Sequence, residues 1–348
     1  MALRIVVIGL GPRGREWVRV VRGRPGHDLV AGVDPDPAAA AAARADGPLA
    51  VHASLADALA AGAADAAIVA TAPHRHREDA LAAIAAGLHV LVEKPFALCV
   101  ADARAVVEAA RAANRTLVVG QNYRAMRAWR TVRRFVADGS LGRLHHVELR
   151  YLRDAHVVND GLRRLSSVAL WETGVHYLDL LRTIAGAPCV SVQASVADVP
   201  WVQDLPGASF EASLAFANGV RASCSVKYGS GGHHWFERGQ ETWARLMGER
   251  GTLHVLHRWL VWCPRGGWPR LVGRGTREHS EEAGLLDQWS RAIATGVAAD
   301  PSGEDNLQTI AIAEACERAA RTGRAVDPRA LLDAACDDEP AAGLETRT

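Results

Sequence analysis

From Leu3 to Asp34 the chain reads strand, glycine turn, helix, strand, acid, and few folds accept that order. The apolar run Leu3-Arg4-Ile5-Val6-Val7-Ile8 leads into Gly9, Gly11 and Gly14, spaced G-x-G-x-x-G. Arg15 to Arg22 is helix-compatible, a second apolar run covers Asp28 to Val33, and Asp34 stands 20 residues after Gly14. Gly9 permits the tight turn, Gly11 leaves the backbone open to a pyrophosphate, and Gly14 lets the helix lie close on the strand. The free N–H groups and the dipole at the helix start attract phosphate. A bare glycine spacing also occurs in ordinary strand–turn–helix units; the flanking elements and the acid make this one a dinucleotide site. Its candidate contacts are Gly9, Gly11, Pro12, Arg13, Gly14 and Asp34. A carboxylate at Asp34 accepts from ribose hydroxyls and repels a 2′-phosphate, which favours NAD, while Arg13 and Arg15 keep NADP open.

The same alternation continues downstream. Pro37 to Asp46 reads as helix, Leu49 to His52 as strand, and Ser54 caps a helix over Leu55 to Ala61. Apolar strands follow at Ala66 to Ala70, Leu88 to Val92 and Thr116 to Gly120, separated by helices at His76 to Ala86 and Asp102 to Ala113. This rhythm predicts a parallel sheet with helices on both faces, whose ligands bind beyond the carboxyl ends of the strands. Asp34, Thr71, Lys94 and Gln121-Asn122 all fall at such ends and should line one crevice.

Near Tyr123 the pattern changes. A basic helix at Ala125 to Asp138 and a helix from about Val168 to Ala185 flank a strand at His146 to Tyr151. Strands then dominate: Val190 to Ala197, Ser209 to Ala217, Val220 to Tyr228, Thr242 to Met247, Gly251 to Leu256 and Trp259 to Cys263. Asn218-Gly219 marks a hairpin. Helices return at Glu281 to Thr295 and Gln308 to Arg321. The expectation is an α/β protein with a Rossmann unit over residues 1–122, a mostly antiparallel open sheet with helices on one face over 123–336, and a polar, disordered tail over 337–348.

Composition narrows the function. A net charge of +1 over 348 residues, without a basic stripe, argues against nucleic acid as a partner. No apolar run approaches the ~20 residues of a membrane span, and the N-terminal apolar stretch runs straight into the glycine turn rather than forming a signal peptide. Cys99, Cys189, Cys224, Cys263, Cys316 and Cys336 are scattered, which fits reduced thiols in a cytoplasmic protein. His74, His76, His145-His146 and His233-His234 match no metal-ligand spacing, so no metal is expected.

A set of ordered motifs resembles the Gfo/Idh/MocA family, named for glucose–fructose oxidoreductase, inositol dehydrogenase and the rhizopine protein MocA. After the glycine turn come Thr71-Ala72-Pro73-His74-Arg75-His76, like T-x-P-x-x-H, and Gly87-Leu88-His89-Val90-Leu91-Val92-Glu93-Lys94-Pro95, like G-K-H-V-L-V-E-K-P. Gly120 to Arg124, Gly139 to Gly142, Gly174 to Asp179, Gly248 to Thr252 and Thr322 to Val326 continue the match along nearly the whole chain. The resemblance implies hydride transfer between a nicotinamide and a secondary alcohol or ketone of a sugar, cyclitol or nucleotide sugar. It implies Lys94 as the cation, His176 as the acid/base, a cis bond before Pro95, and a homodimer or homotetramer through the open sheet. It places Thr71, Pro73, His76, Glu93, Lys94 and Gln121 at the cofactor, and Lys94, Asn122, Tyr123, Arg124, Glu172 and His176 at the substrate. The family also contains enzymes that use bound NAD transiently for glycoside hydrolysis or epimerisation, and NAD-sensing regulators; a retained Lys94–His176 pair argues against the latter.

Two stretches depart from the family pattern. The acid four residues before His176 is Glu172 where the family usually has Asp, and Ser166-Ser167-Val168 stand where glycines are frequent. Residues i and i+4 of a helix share a face, so Glu172 could fix the imidazole tautomer or bind a substrate hydroxyl. The blander readings are an acid meeting the helix dipole at Glu172 and a satisfied structural histidine at His176. Trp235, Trp243, Trp259, Trp262 and Trp268 fit sheet packing or a subunit contact better than sugar stacking. Arg124, Arg127, Arg163 and Arg164 read either as anion receptors beside the pocket or as solvated surface.

Overall fold

The structure is a computed structural model that describes residues 2–154, 160–229, 240–256, 259–274 and 281–334. Trp235, His233, His234, Cys336 and the tail 337–348 lie outside the described residues.

The first sheet has six strands: β1 (Leu3–Ile8), β2 (His27–Val33), β3 (Val51–His52), β4 (Ala66–Val69), β5 (His89–Val92) and β6 (Leu117–Val119). All pair in parallel in the order β3-β2-β1-β4-β5-β6. The strands are continuous apolar runs because helices bury both faces. Strand order reverses between β1 and β4, which opens the crevice at their carboxyl ends. The glycine turn is as tight as its spacing predicts. Gly9 has φ +88°, and a Cβ on Gly14 would stand 1.8 Å from the Gly9 carbonyl oxygen. Helix Pro12–Arg22 can therefore start against the strand end only with glycine at position 14.

The second sheet has eight strands: β7 (Leu144–Arg153), β8 (Cys189–Ala197), β9 (Ser209–Phe216), β10 (Arg221–Tyr228), β11 (Gln240–Gly248), β12 (Gly251–Leu256), β13 (Trp259–Pro264) and β14 (Arg270–Arg274). The order is β14-β13-β12-β11-β7-β10-β9-β8; the β7–β10 pair is parallel and every other pair antiparallel. Gly219, at φ +86°, closes the β9–β10 hairpin. Helices Val175–Ala185 and Gly303–Thr322 cover the inner face, and the buried residues of both units join in one apolar cluster.

Several elements differ from the sequence reading. Helix Gly303–Thr322 starts five residues before Gln308, because the Ser302 hydroxyl accepts from the Asp305 N–H and caps it. The segment expected as one helix from Val168 opens with a π-helical turn, Ala169–Gly174. The strand Arg270–Arg274 and helix Pro328–Asp333 carry too little periodicity to show in sequence. Helix Glu281–Thr295, assigned by chain order to the second unit, packs Leu285, Leu286 and Trp289 against Ile5, Trp17, Val21 and Leu91 of the first. Burying that apolar stripe outweighs proximity in sequence.

Candidate active site

A cavity of about 1080 Å³ opens at the carboxyl ends of β1, β2, β4 and β5 and extends to the helix that begins at Val175. Its walls bring together Gly9, Gly11, Pro12, Arg13, Asp34, Thr71, Pro73, His76, Glu93, Lys94, Asn122, Tyr123, Glu172 and His176. These come from six stretches of chain drawn from both units, so the convergence is a product of the fold.

At the β2 end, the Asp34 carboxylate accepts the Leu10 N–H at 2.7 Å and the Asp36 N–H at 2.9 Å. The acid thus holds the glycine turn in shape, and each oxygen keeps a lone pair for a ribose hydroxyl. A Cβ built on Gly11 meets nothing within 4 Å, which leaves that backbone open to a pyrophosphate. With the start of helix Pro12–Arg22 beside it, this end fits a dinucleotide.

At the opposite end, the Lys94 ammonium donates to the Glu172 carboxylate at 2.7 Å and to the Glu172 main-chain carbonyl at 2.6 Å. That carbonyl belongs to the π turn, where the Val175 N–H reaches back five residues to Leu170. The widened turn also undoes the i, i+4 geometry: the Glu172 carboxylate pairs with Lys94 rather than orienting the imidazole. His176 is 5% exposed, stacks on Tyr123 with centroids 4.0 Å apart and planes 6° apart, and its Nδ1 has no hydrogen-bond partner. Burial, and then the charges of Lys94 and Arg13, hold its pKa well below the ordinary histidine value. The imidazole is neutral at pH 7 and free to accept a proton.

Beneath the cavity, the buried Glu93 carboxylate accepts from Arg13 at 2.7 Å and from the Trp17 indole N–H at 2.6 Å. Arg13 also donates to Glu16 and Glu282, and Glu282 accepts from Asn122. This network ties the glycine turn to the residue before Lys94 and to the helix Glu281–Thr295. His76 lies buried between the carbonyls of Thr71 and Pro95, at 2.9 and 2.8 Å, and so bridges the loops after β4 and β5. The Lys94–Pro95 bond is cis.

The family profile described as "Oxidoreductase family, NAD-binding Rossmann fold" matches residues 3–121, and the profile of the family's C-terminal domain matches residues 129–254. Inositol 2-dehydrogenase 2 of Saccharopolyspora erythraea is 31% identical over 338 residues, covering 93% of this chain and 94% of that protein. This chain belongs to the Gfo/Idh/MocA family. It is therefore an NAD-binding oxidoreductase. D-apiose dehydrogenase of Paraburkholderia graminis is 28% identical over 345 residues, covering 93% of this chain and 89% of that protein. Among solved structures, an oxidoreductase from Agrobacterium radiobacter in complex with NAD⁺, L-tartaric acid and magnesium superposes with TM-score 0.85 at 23% identity, covering 95% of this chain and 100% of that one. Levoglucosan dehydrogenase superposes with TM-score 0.81 at 22% identity, covering 94% and 99%. Both show the same fold.

Three residues expected at the site lie elsewhere. Gly14 is spent on the packing of the turn. Gln121 is 1% exposed and does not reach the cavity wall. Arg124 turns away from the cavity into a buried ion cluster, donating to both Asp179 carboxylate oxygens at 2.6 Å and to Asp300 and Asp305. The 3₁₀ turn Asn122–Ala125 sends Asn122 and Tyr123 to the cavity and Arg124 into the protein. Of the arginines read as pocket-flanking, Arg163 pairs with Asp204, and Arg164 sits near enough to His74 to lower that imidazole's pKa, although burial is the larger cause. Trp17 and Glu282 carry no motif signal. Their roles rest on contacts 76 and 269 residues apart in sequence.

Proposed function

We propose that this oxidoreductase interconverts a secondary alcohol and a ketone on a sugar or cyclitol, with NAD as its cofactor and Lys94 and His176 at the reacting oxygen. One observation supports this above the others. Lys94, from the end of β5, and His176, from a helix of the second unit, line the same cavity as the glycine turn and Asp34. Bound NAD supplies the hydride acceptor. The chain's own residues handle the proton and the charge. Neutral His176 takes the hydroxyl proton, and the Lys94 ammonium offers its remaining N–H to the oxygen as charge develops. Glu172, holding that ammonium through a carboxylate and a carbonyl, fixes where it points. The buried wall around His176 and Tyr123 keeps water from the base.

The relatives named inositol 2-dehydrogenase and D-apiose dehydrogenase support a polyhydroxylated substrate. Assembly through the second sheet fits its outer face, where Trp243, Leu256 and Trp259 stand in register across β11, β12 and β13. Among the described residues no helix is long and apolar enough to cross a membrane.

The test is NADH production or consumption against inositols, aldoses and nucleotide sugars, run on wild type and Lys94→Ala. The variant should bind NADH as wild type does and lose turnover by roughly 10³-fold. Wild-type turnover in the variant rejects Lys94, and NADP used ten-fold better than NAD rejects the reading of Asp34.

A further inference from the structure

All four tyrosines of the chain, Tyr123, Tyr151, Tyr177 and Tyr228, lie buried or half-buried beside His176 and Thr173, and of the four Tyr123 lines the cavity. Tyr123 stacks on His176, Tyr177 packs 5.6 Å from both Tyr123 and Tyr151, and the Tyr228 hydroxyl lies 2.6 Å from that of Thr173, the residue after Glu172. A guanidinium joins them. Residues 147, 149 and 151 of β7 are buried while 146, 148, 150 and 152 face outward or sit at the margin, so the two-residue period turns Arg153 inward beside Tyr151. Register places Arg153 opposite Tyr228 of parallel β10, and the Gly229 N–H donates to the Arg153 carbonyl at 2.8 Å.

Among the described residues, the charge of this guanidinium has no ion-pair partner of its own. Arg13, beneath the cavity, is paired with Glu16, Glu93 and Glu282. The carboxylate whose field reaches Arg153 is Glu172, already committed to Lys94 at 2.7 Å; the other groups around it are the phenols of Tyr151, Tyr228 and Tyr123. Two cations thus share one carboxylate, and among the described residues no ion pair takes up Arg153. A half-buried cation left in this state is held at a cost that an incoming anion removes. Burial raises the pKa of Tyr151 and Tyr228, so their hydroxyls stay protonated and can donate to an anion.

We propose that Arg153, with the hydroxyls of Tyr151 and Tyr228, receives an anionic substituent, a carboxylate or phosphate, on the polyol that reacts at Lys94 and His176. This deepens the reading above and rests on it for the place of the reacting carbon. It makes the substrate a sugar acid or a phosphorylated polyol rather than a neutral one.

Calorimetric titration of the enzyme–NADH complex tests it with matched pairs: galacturonate against galactose, glucuronate against glucose, and myo-inositol 1-phosphate against myo-inositol. At least one anionic member should bind about 10- to 100-fold more tightly than its neutral partner. The two uronate arms and the phosphate arm separate carboxylate from phosphate. In Arg153→Gln the anionic-to-neutral ratio should fall to within about threefold, with NADH affinity serving as the check on folding. Equal or weaker binding of every anionic member, or a ratio that survives in Arg153→Gln, overturns the proposal. The titration needs no turnover. Preferential anion binding without NADH-linked turnover of any compound would sink the redox reading and leave the anion pocket standing.

Discussion

His176 and Asp179 lie less than one turn apart on the same helix, both buried, and their surroundings are opposites. Asp179 accepts from Arg124 through both oxygens and also from Arg182, Asn306 and Thr309. His176 has an aromatic ring on one face, a bare Nδ1, and the cavity in front of it. A buried charge is tolerated when its oxygens are hydrogen-bonded and paired with cations, and Asp179 meets that condition. The base proposed at His176 must keep its acceptor free, and the buried imidazole does so by remaining neutral. The lesson is that burial and polarity do not mark a reactive group; the unfilled bonding capacity does. One cluster fixes the helix, and the other uses the helix end it fixes.

The comparison breaks most readily at the two residues themselves. His176→Gln should lower kcat/KM by about 10²- to 10⁴-fold while leaving unfolding in urea near wild type. Arg124→Met should do the reverse, destabilising the fold by about 3–5 kcal/mol by stranding Asp179, with the surviving folded enzyme still active. An Arg124 variant as stable as wild type, or a His176 variant that turns over normally, would collapse the distinction.

pH sharpens it further. Burial keeps His176 deprotonated in the folded protein, so the base stays available as pH falls below about 6.5, and the acid limb of kcat/KM should lie below that value. The same shift means that the unfolded state binds the proton more readily, so this group weakens the fold as pH drops below 6.5. Asp305, in the ion cluster, behaves differently. Its burial opposes the charge, but the hydrogen bond and charge of Arg182 outweigh it and hold its pKa at about 2. Its contribution is complete above about pH 4 and lost between 4 and 2. Activity should therefore persist as pH falls below 6.5 in a titration that follows activity and unfolding together, and an acid limb at or above 6.5 would count against a neutral buried imidazole.

Smaller effects separate the supporting contacts. Tyr123→Leu removes the ring stacked on His176, and a pair of that kind is worth about 0.5–1.5 kcal/mol, so kcat/KM should fall by up to about ten-fold. Asp34→Asn should weaken NAD and strengthen NADP, narrowing the preference between them by roughly ten-fold in paired fluorescence titrations. An unchanged preference would confine Asp34 to holding the Leu10 N–H.

The local rules written in the chain carry a long way. Glycine spacing, strand runs, the Ser54 cap and the Asn218-Gly219 turn each depend on neighbours a few residues apart. They determined the parallel sheet, the hairpin and the crevice where Lys94, Asp34 and Thr71 meet. The motif also singled out His176, whose partner at the site comes from 82 residues earlier in the chain. What local rules could not decide is how a side chain is used once distant elements close around it. Arg124 and Tyr123 are adjacent in sequence, yet one is drawn into carboxylates from residues 179, 300 and 305 and the other stacks on the imidazole. Glu172 looked like a partner for His176 on helical spacing, and the π turn handed it to Lys94 instead. Glu282, Trp17 and Arg153 acquire meaning only from tertiary neighbours. The physical reason is one of range. Backbone geometry is set by short-range sterics and hydrogen bonds, while pairing of charges depends on which groups burial brings within about 4 Å, and only the folded chain fixes that.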